Sequence, residues 1–196
     1  KKLLAAFERA YTENTKMREK FAGDPLKYVT SETNLDKALR DLQAIATAPE
    51  HYIELLRLGS HDSLLSLLSH ENSDIVIDVI DVLRDFLAND DDTHEDETQR
   101  EIVSTSIMVF ATQLLKLDLL PLVCACIARF DETVSEEKQG VYNALELLEN
   151  LFEIMIDESC SIVLEKTKLI GWLLQRLKAE NAFDDVKLYS SEILCI

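Results

Sequence analysis

The sequence predicts an all-α fold, a right-handed α-α superhelix of stacked helices, on three observations. The first is the stretch Asp74 to Leu87, DIVIDVIDVLRDFL. At the helical repeat it puts Asp74, Asp78, Asp81 and Asp85 on one narrow arc, and Ile75, Val76, Ile77, Val79, Ile80, Val82, Leu83, Phe86 and Leu87 cover nearly all the rest. A surface helix has one apolar stripe and a broad polar face; this one has the reverse, so neighbours must enclose most of it. Carboxylates stacked at i,i+4 repel by roughly 0.2–0.5 kcal/mol per pair, so burial of the other faces has to hold the helix. The second observation is composition: 47% hydrophobic residues with only four Gly and three Pro leave little turn chemistry for a many-stranded sheet. The third is a repeated order of a brief helix followed by a long one.

Taken in order, Lys1 to about Phe21 reads as a helix burying Leu3, Leu4, Phe7, Tyr11 and Met17, stopped by Gly23, Asp24 and Pro25. Asn34, or Ser31 before it, caps a second helix from Leu35 to about Thr47 with Leu35, Leu39, Leu42 and Ile45 inward. Pro49 to Leu58 is the third, with Pro just inside its start and Gly59 just past its end. Ser63 to His70 (SLLSLLSH) is a brief helix ahead of the acid-striped one. Asp118 to Phe130, with Pro121 in its first turn, repeats the brief helix. Thr133 and Glu136 then form a capping box that opens SEEKQGVYNALELLENLFEI. Lys168 to Ala179 is a third brief helix, and Asp184 to Ile196 starts a third long one.

Leu64, Val123 and Leu173 fall at corresponding places. The period they imply, roughly 50–60 residues, exceeds the ~40–47 of armadillo or HEAT units, and the excess is assigned to an acidic insert at 89–101. The division expected is therefore 1–58 as amino-terminal capping helices and first repeat helix, and 59–196 as armadillo-like repeats, the last truncated. The chain begins on Lys1-Lys2 without Met and ends on Ile196 inside an apolar helix, which reads as a piece of a longer protein.

In the second long helix Gln139, Asn143, Glu146, Asn150 and Glu153 share one face, while Val141, Ala144, Leu145, Leu148, Leu151 and Phe152 form the packed sides. Two long helices with polar lines predict a continuous groove. The candidate partner-binding residues are Asp74, Asp78, Asp81 and Asp85 with Asn143, Glu146, Asn150 and Glu153. They would receive Lys and Arg of an extended partner through charge-assisted hydrogen bonds.

A formal charge of −17 argues against direct contact with nucleic acid or an anionic membrane and favours basic protein segments; self-association is left open. No apolar run reaches the ~18 residues that span a bilayer, and no signal peptide opens the chain. Cys124, Cys126, Cys160 and Cys195 lack CxxC spacing and a His partner, so free thiols are expected. In the insert, Asp90, Asp92, His94, Thr98 and Glu101 match a calcium-loop spacing, but Glu95 stands where the turn needs Gly, so a loop without metal is expected. His51, His61, His70 and His94 are scattered and read as surface or capping residues. No nucleophile elbow, HExxH or phosphate loop is present, so no enzyme, cofactor or metal is expected.

The pair SLLSLLSHENSDIVIDVIDVLRDFL and LVCACIARF…VYNALELLENL fits the armadillo template of a brief helix then a longer one. The template's groove Asn falls on Asp85 and Asn150; one turn earlier, where import-type armadillo proteins carry Trp, stand Asp81 and Glu146. More specifically, MREKF, Pro25 with Lys27-Tyr28, ATAPE, SLLSLLSHENSD with DVIDVL, RFDETVSEEKQGVYNALELLEN, WLLQRLKA and FDDVKLYSSEIL occur in that order. In these the chain resembles the beta-catenin-like family, nuclear armadillo-type proteins associated with the spliceosome, over its whole length. The resemblance implies a nuclear, non-enzymatic scaffold of the Prp19 complex that binds basic, nuclear-localisation-type segments of splicing factors. The alternatives are a structural module whose contacts lie on outer surfaces or further repeats, and an importin-like adaptor. The acidic insert does not follow the family.

Overall fold

The alternation of apolar and polar residues that marks each helix is realised in a computed structural model, which describes residues 1–88, 96–180 and 183–196. Those residues form α1 (Lys2–Lys20), α2 (Val29–Leu42), α3 (Tyr52–Leu58), α4 (Ser60–Leu67), α5 (Ser73–Leu87) and α6 (Glu97–Lys116), then α7 (Leu119–Arg129), α8 (Ser135–Ile154), α9 (Ile156–Lys166), α10 (Leu169–Lys178) and α11 (Asp185–Ile193), with no strand among them. The fold class is the all-α solenoid that the sequence predicts.

Three helices make a unit. α2, α5, α8 and α11 lie side by side in one row, with α5 against α8 the most extensive contact in the molecule. Each is backed by the helix before it: α1 on α2, α4 on α5, α7 on α8, α10 on α11. Leu64, Val123 and Leu173 are each fully buried at matching places in α4, α7 and α10, so the repeat register read from the sequence is a packing register. Tyr52 of α3, Phe86 of α5 and Phe110 of α6 join neighbouring units, with ring centroids 5.1, 5.1 and 5.8 Å apart. Such offset pairs add to area burial by about 0.5–1.5 kcal/mol each.

Two helices have no counterpart in the elements derived from the sequence, α6 and α9. α6 presents apolar residues on every side: Phe110 and Leu114 are buried while Ile102, Met108 and Val109 stay exposed, so no stripe marks it. Its 20 residues account for much of the longer interval, Leu64 to Val123, whose excess the sequence assigns to an insert. Residues 97–101 of that insert are the first turns of α6, capped by Asp96, whose side chain accepts from the Thr98 N–H at 3.0 Å. Thr98 and Glu101 are therefore helical rather than loop ligands; Asp90, Asp92 and His94 lie outside the described residues.

Boundaries also move. α2 starts at Val29, so Ser31 is no cap; it is buried in the first turn, donating to the Tyr28 carbonyl and accepting from Asn14. α4 starts at Ser60, earlier than expected, which turns His61 into the packed interior instead of the surface. The Thr133–Glu136 capping box does not form. Glu137 accepts from the Asp131 N–H at 2.7 Å, and Asp131 accepts from Thr133, leaving Glu136 free to face the row of helices. Leu3, expected to be buried, is partly exposed, whereas Leu4 and Phe7 are core. Gly59 does end α3, with φ of 76° in the left-handed region that favours glycine.

Candidate protein-binding groove

Asn72 opens α5 by accepting from the Asp74 N–H at 3.0 Å, which fixes the rotational start of the helix. From that start the four aspartates divide. Asp74 and Asp78 face α2, Asp81 faces α8, and Asp85 pairs with Arg84 of α5 itself. Gly140 makes the second contact possible: a Cβ there would lie 2.8 Å from Ile77 Cγ1 and 3.2 Å from the Phe130 ring, so only hydrogen lets α8 approach α5 so closely.

The α2–α5 side is a cleft of about 460 Å³. Glu32, Asp36 and Arg40 come from α2, Asp74 and Asp78 from α5, and Glu136 from the start of α8. Arg18 engages Glu32, and Arg40 engages Asp36. Asp74 and Glu136 are exposed and have no ion pair among the described residues. Asp78 is half-buried, with its Oδ2 shut off from solvent and meeting no donor among the described residues. Burial, and then the carboxyl of Asp36, push the Asp78 carboxyl up to about 8.

The α5–α8 side is organised by Arg84, which the sequence reading left out. Its guanidinium lies 2.9 Å from Asp85, 3.4 Å from Asp81 and 3.5 Å from Glu146. Asn143 is buried, donates to Asp81 and accepts from Gln139 at 2.7 Å. Asn150 donates to the Arg84 carbonyl at 3.3 Å. Burial raises the Asp81 carboxyl, and Arg84 and Asn143 only partly offset it. Seven of the eight candidate residues thus meet on or around α5, with Glu146 and Asn150 joined to Arg84. Glu153 is exposed at the far end, beside Glu149 and Glu192 of α11, which the sequence reading also missed. Tyr142 and Tyr189 stack edge-on at 4.9 Å and carry the row across to α11. The chain's one tryptophan, Trp172, is half-buried in α10, behind the row and not on it.

This row of long helices with carboxylates along it is an armadillo arrangement, and one comparison decides the family. The model of the catenin-beta-like, Arm-motif containing nuclear family matches residues 1–196. The chain belongs to that family. Its curated catenin-beta-like relatives include Beta-catenin-like protein 1 of Homo sapiens and of Bos taurus, each 36% identical over 196 residues. The Beta-catenin-like protein 1 homolog of Schizosaccharomyces pombe is 33% identical over 198 residues. All of this chain is covered in each comparison, and 33% of each relative, so the chain spans about a third of the length of these catenin-beta-like proteins. The family's description places its members in the nucleus and gives them Arm motifs, a protein-interaction architecture.

Proposed function

We propose that this chain is the segment of a nuclear, non-enzymatic armadillo-type scaffold that receives Lys/Arg-rich, nuclear-localisation-type segments of partner proteins, splicing factors of the Prp19 complex in the reading taken from the family. The observation that supports it best is the α2–α5 cleft, lined among the described residues by five carboxylates, of which Glu32 and Asp36 are paired with Arg18 and Arg40 and Asp74 and Glu136 are in no ion pair. In a chain of net charge −17, this concave acidic surface attracts cations over a distance and pairs with them at contact. Asp74, Asp78 and Glu136 are the contact groups of this half. Asp81, Asp85, Asn143, Glu146 and Asn150 form the second half, and Glu153 its end.

A second reading applies to that second half. Because Arg84 already lies among Asp81, Asp85 and Glu146, those acids act as struts between α5 and α8. The experiment that separates the readings is charge reversal in each half. D74K with E136K changes only exposed side chains. It should lower affinity for a Lys/Arg-rich peptide at least tenfold by fluorescence anisotropy, with helical circular dichroism unchanged; unaltered affinity would remove the cleft from consideration. E146Q should leave affinity unchanged if the second half is structural.

A further inference from the structure

A second cleft, of about 260 Å³, opens between α3, α4 and α6 and shares no residue with the α2–α5 cleft. Leu56 and Val109 are its apolar walls, and His61, Thr112, Gln113 and Lys116 its polar ones. His61 is only 6% exposed, yet neither ring nitrogen is hydrogen-bonded among the described residues. Nδ1 is buried without a partner, and Nε2 lies 3.8 Å from Asp62, past hydrogen-bond reach. Leaving a buried imidazole unpaired is costly, and a cavity beside it is where a partner would enter. Because Nδ1 meets no acceptor, the proton of the neutral ring belongs on Nε2, which leaves an N–H to donate. The side chains of Gln113 and Lys116 are likewise in no hydrogen bond or ion pair among the described residues. Thr112 already donates to the Met108 carbonyl at 2.8 Å. The cleft therefore offers donors and lacks an acceptor.

Charge points the same way. From Ile102 to Leu117 there is no Asp or Glu, in a chain that has 37 of them among 196 residues. Asp62 is mostly exposed and does not line the cleft, and Asp118 is held by Lys166 at 2.8 Å. Lys116 is thus a cation with no acid of its own. Ile102 and Val109 stand two turns apart on one face of α6 and are 45% and 43% exposed, so an apolar strip leads away from the cleft. A small acid would leave that strip bare, whereas a length of polypeptide covers it. We infer that this cleft holds an Asp or Glu side chain of a partner protein's acidic, leucine-rich segment. Its carboxylate accepts from His61, Gln113 and Lys116, and the apolar residues beside it lie on Leu56, Val109 and Ile102. The site selects the opposite charge from the α2–α5 cleft and stands whether or not that cleft binds basic segments.

The test uses the 196-residue chain and a soluble synthetic peptide rich in Glu and Leu, with a copy in which Gln replaces Glu. On adding the first peptide, the imidazole NMR signal of His61, identified by its loss in H61Q, should shift together with the backbone amides of Val109 and Gln113. The signals of His51 and His70 should stay in place. Should H61Q fail to fold, the two amides carry the readout alone. K116E changes an exposed side chain and should weaken the peptide about tenfold or more, as should the Gln copy, through loss of a charge-assisted hydrogen bond. Equal affinity for the two peptides, or for the parent chain and K116E, would overturn the carboxylate assignment. Signals at His61, Val109 and Gln113 that do not move would overturn the site itself. Hexanoate shifting them at a lower concentration than the peptide would mean that a small acid fills the cleft, and would overturn the partner segment.

Discussion

Arg84 shows how one side chain changes the meaning of its neighbours. It is mostly buried, and the three carboxylates around it oppose the loss of its solvation. Removing a cation from such a cluster leaves like charges together without a counter-ion. R84M should therefore lower stability by about 1–3 kcal/mol, the buried-pair cost reduced for the partial exposure of the acids. Urea unfolding checks it, and a loss below about 0.5 kcal/mol would mean that the cluster is solvated. Asp78 makes a second prediction through linkage. Its folded carboxyl titrates at about 8, above the ordinary aspartate value, so the native state binds the extra proton. That contribution to stability is complete below the unfolded value, near 4, and is lost as pH rises through about 8. The urea midpoint of the parent chain should fall relative to that of D78N between about pH 6 and 8.5, and parallel curves would refute the assignment.

At the scale of the element, Gly140 sets the distance between α5 and α8. Intrinsic helix propensity favours Ala over Gly by about 1 kcal/mol, so an unhindered G140A would stabilise α8. Here the new methyl would fall 2.8 Å from Ile77 Cγ1, inside van der Waals contact and near the root of a branched side chain. The clash should win, giving a net loss of about 1–3 kcal/mol. Adding I77A to G140A should cost less than the two single changes summed, and simple additivity would count against the contact. These helices were only partly legible beforehand. α5 and α8 show their faces because apolar and polar residues segregate; α6 does not, since its apolar residues lie all round and the helices packed on it decide which are covered. The capping box failed for a related reason. Glu136 and Glu137 are equally suited in composition to reach back, and only the path of the chain from Phe130 selects Glu137.

The whole molecule carries its charge of −17 along a stack in which each unit touches its neighbours. Self-repulsion and partner attraction should then respond to salt with opposite signs. Raising NaCl from about 20 to 200 mM shortens the screening length from about 20 Å to under 10 Å, which relieves repulsion among the acids and weakens a cationic ligand. The thermal midpoint should rise over that range while peptide affinity falls. A midpoint that falls with salt would mean that the internal pairs of Arg18, Arg40 and Arg84 outweigh the net charge.

The sequence by itself determined the class of the fold, the faces of α5 and α8, the repeat register at Leu64, Val123 and Leu173, and the acids of those two helices, but not Glu32 and Asp36 of α2 or Glu136, which line the cleft with them. Those properties follow from side-chain periodicity, which is local. Only the tertiary structure decided that Asp78 faces Asp36, forty-two positions away in the chain, while Asp81 faces Arg84 and Asn143. Four aspartates alike in sequence differ in solvation and in neighbours, and a carboxyl's charge is set by those two things, which are not local.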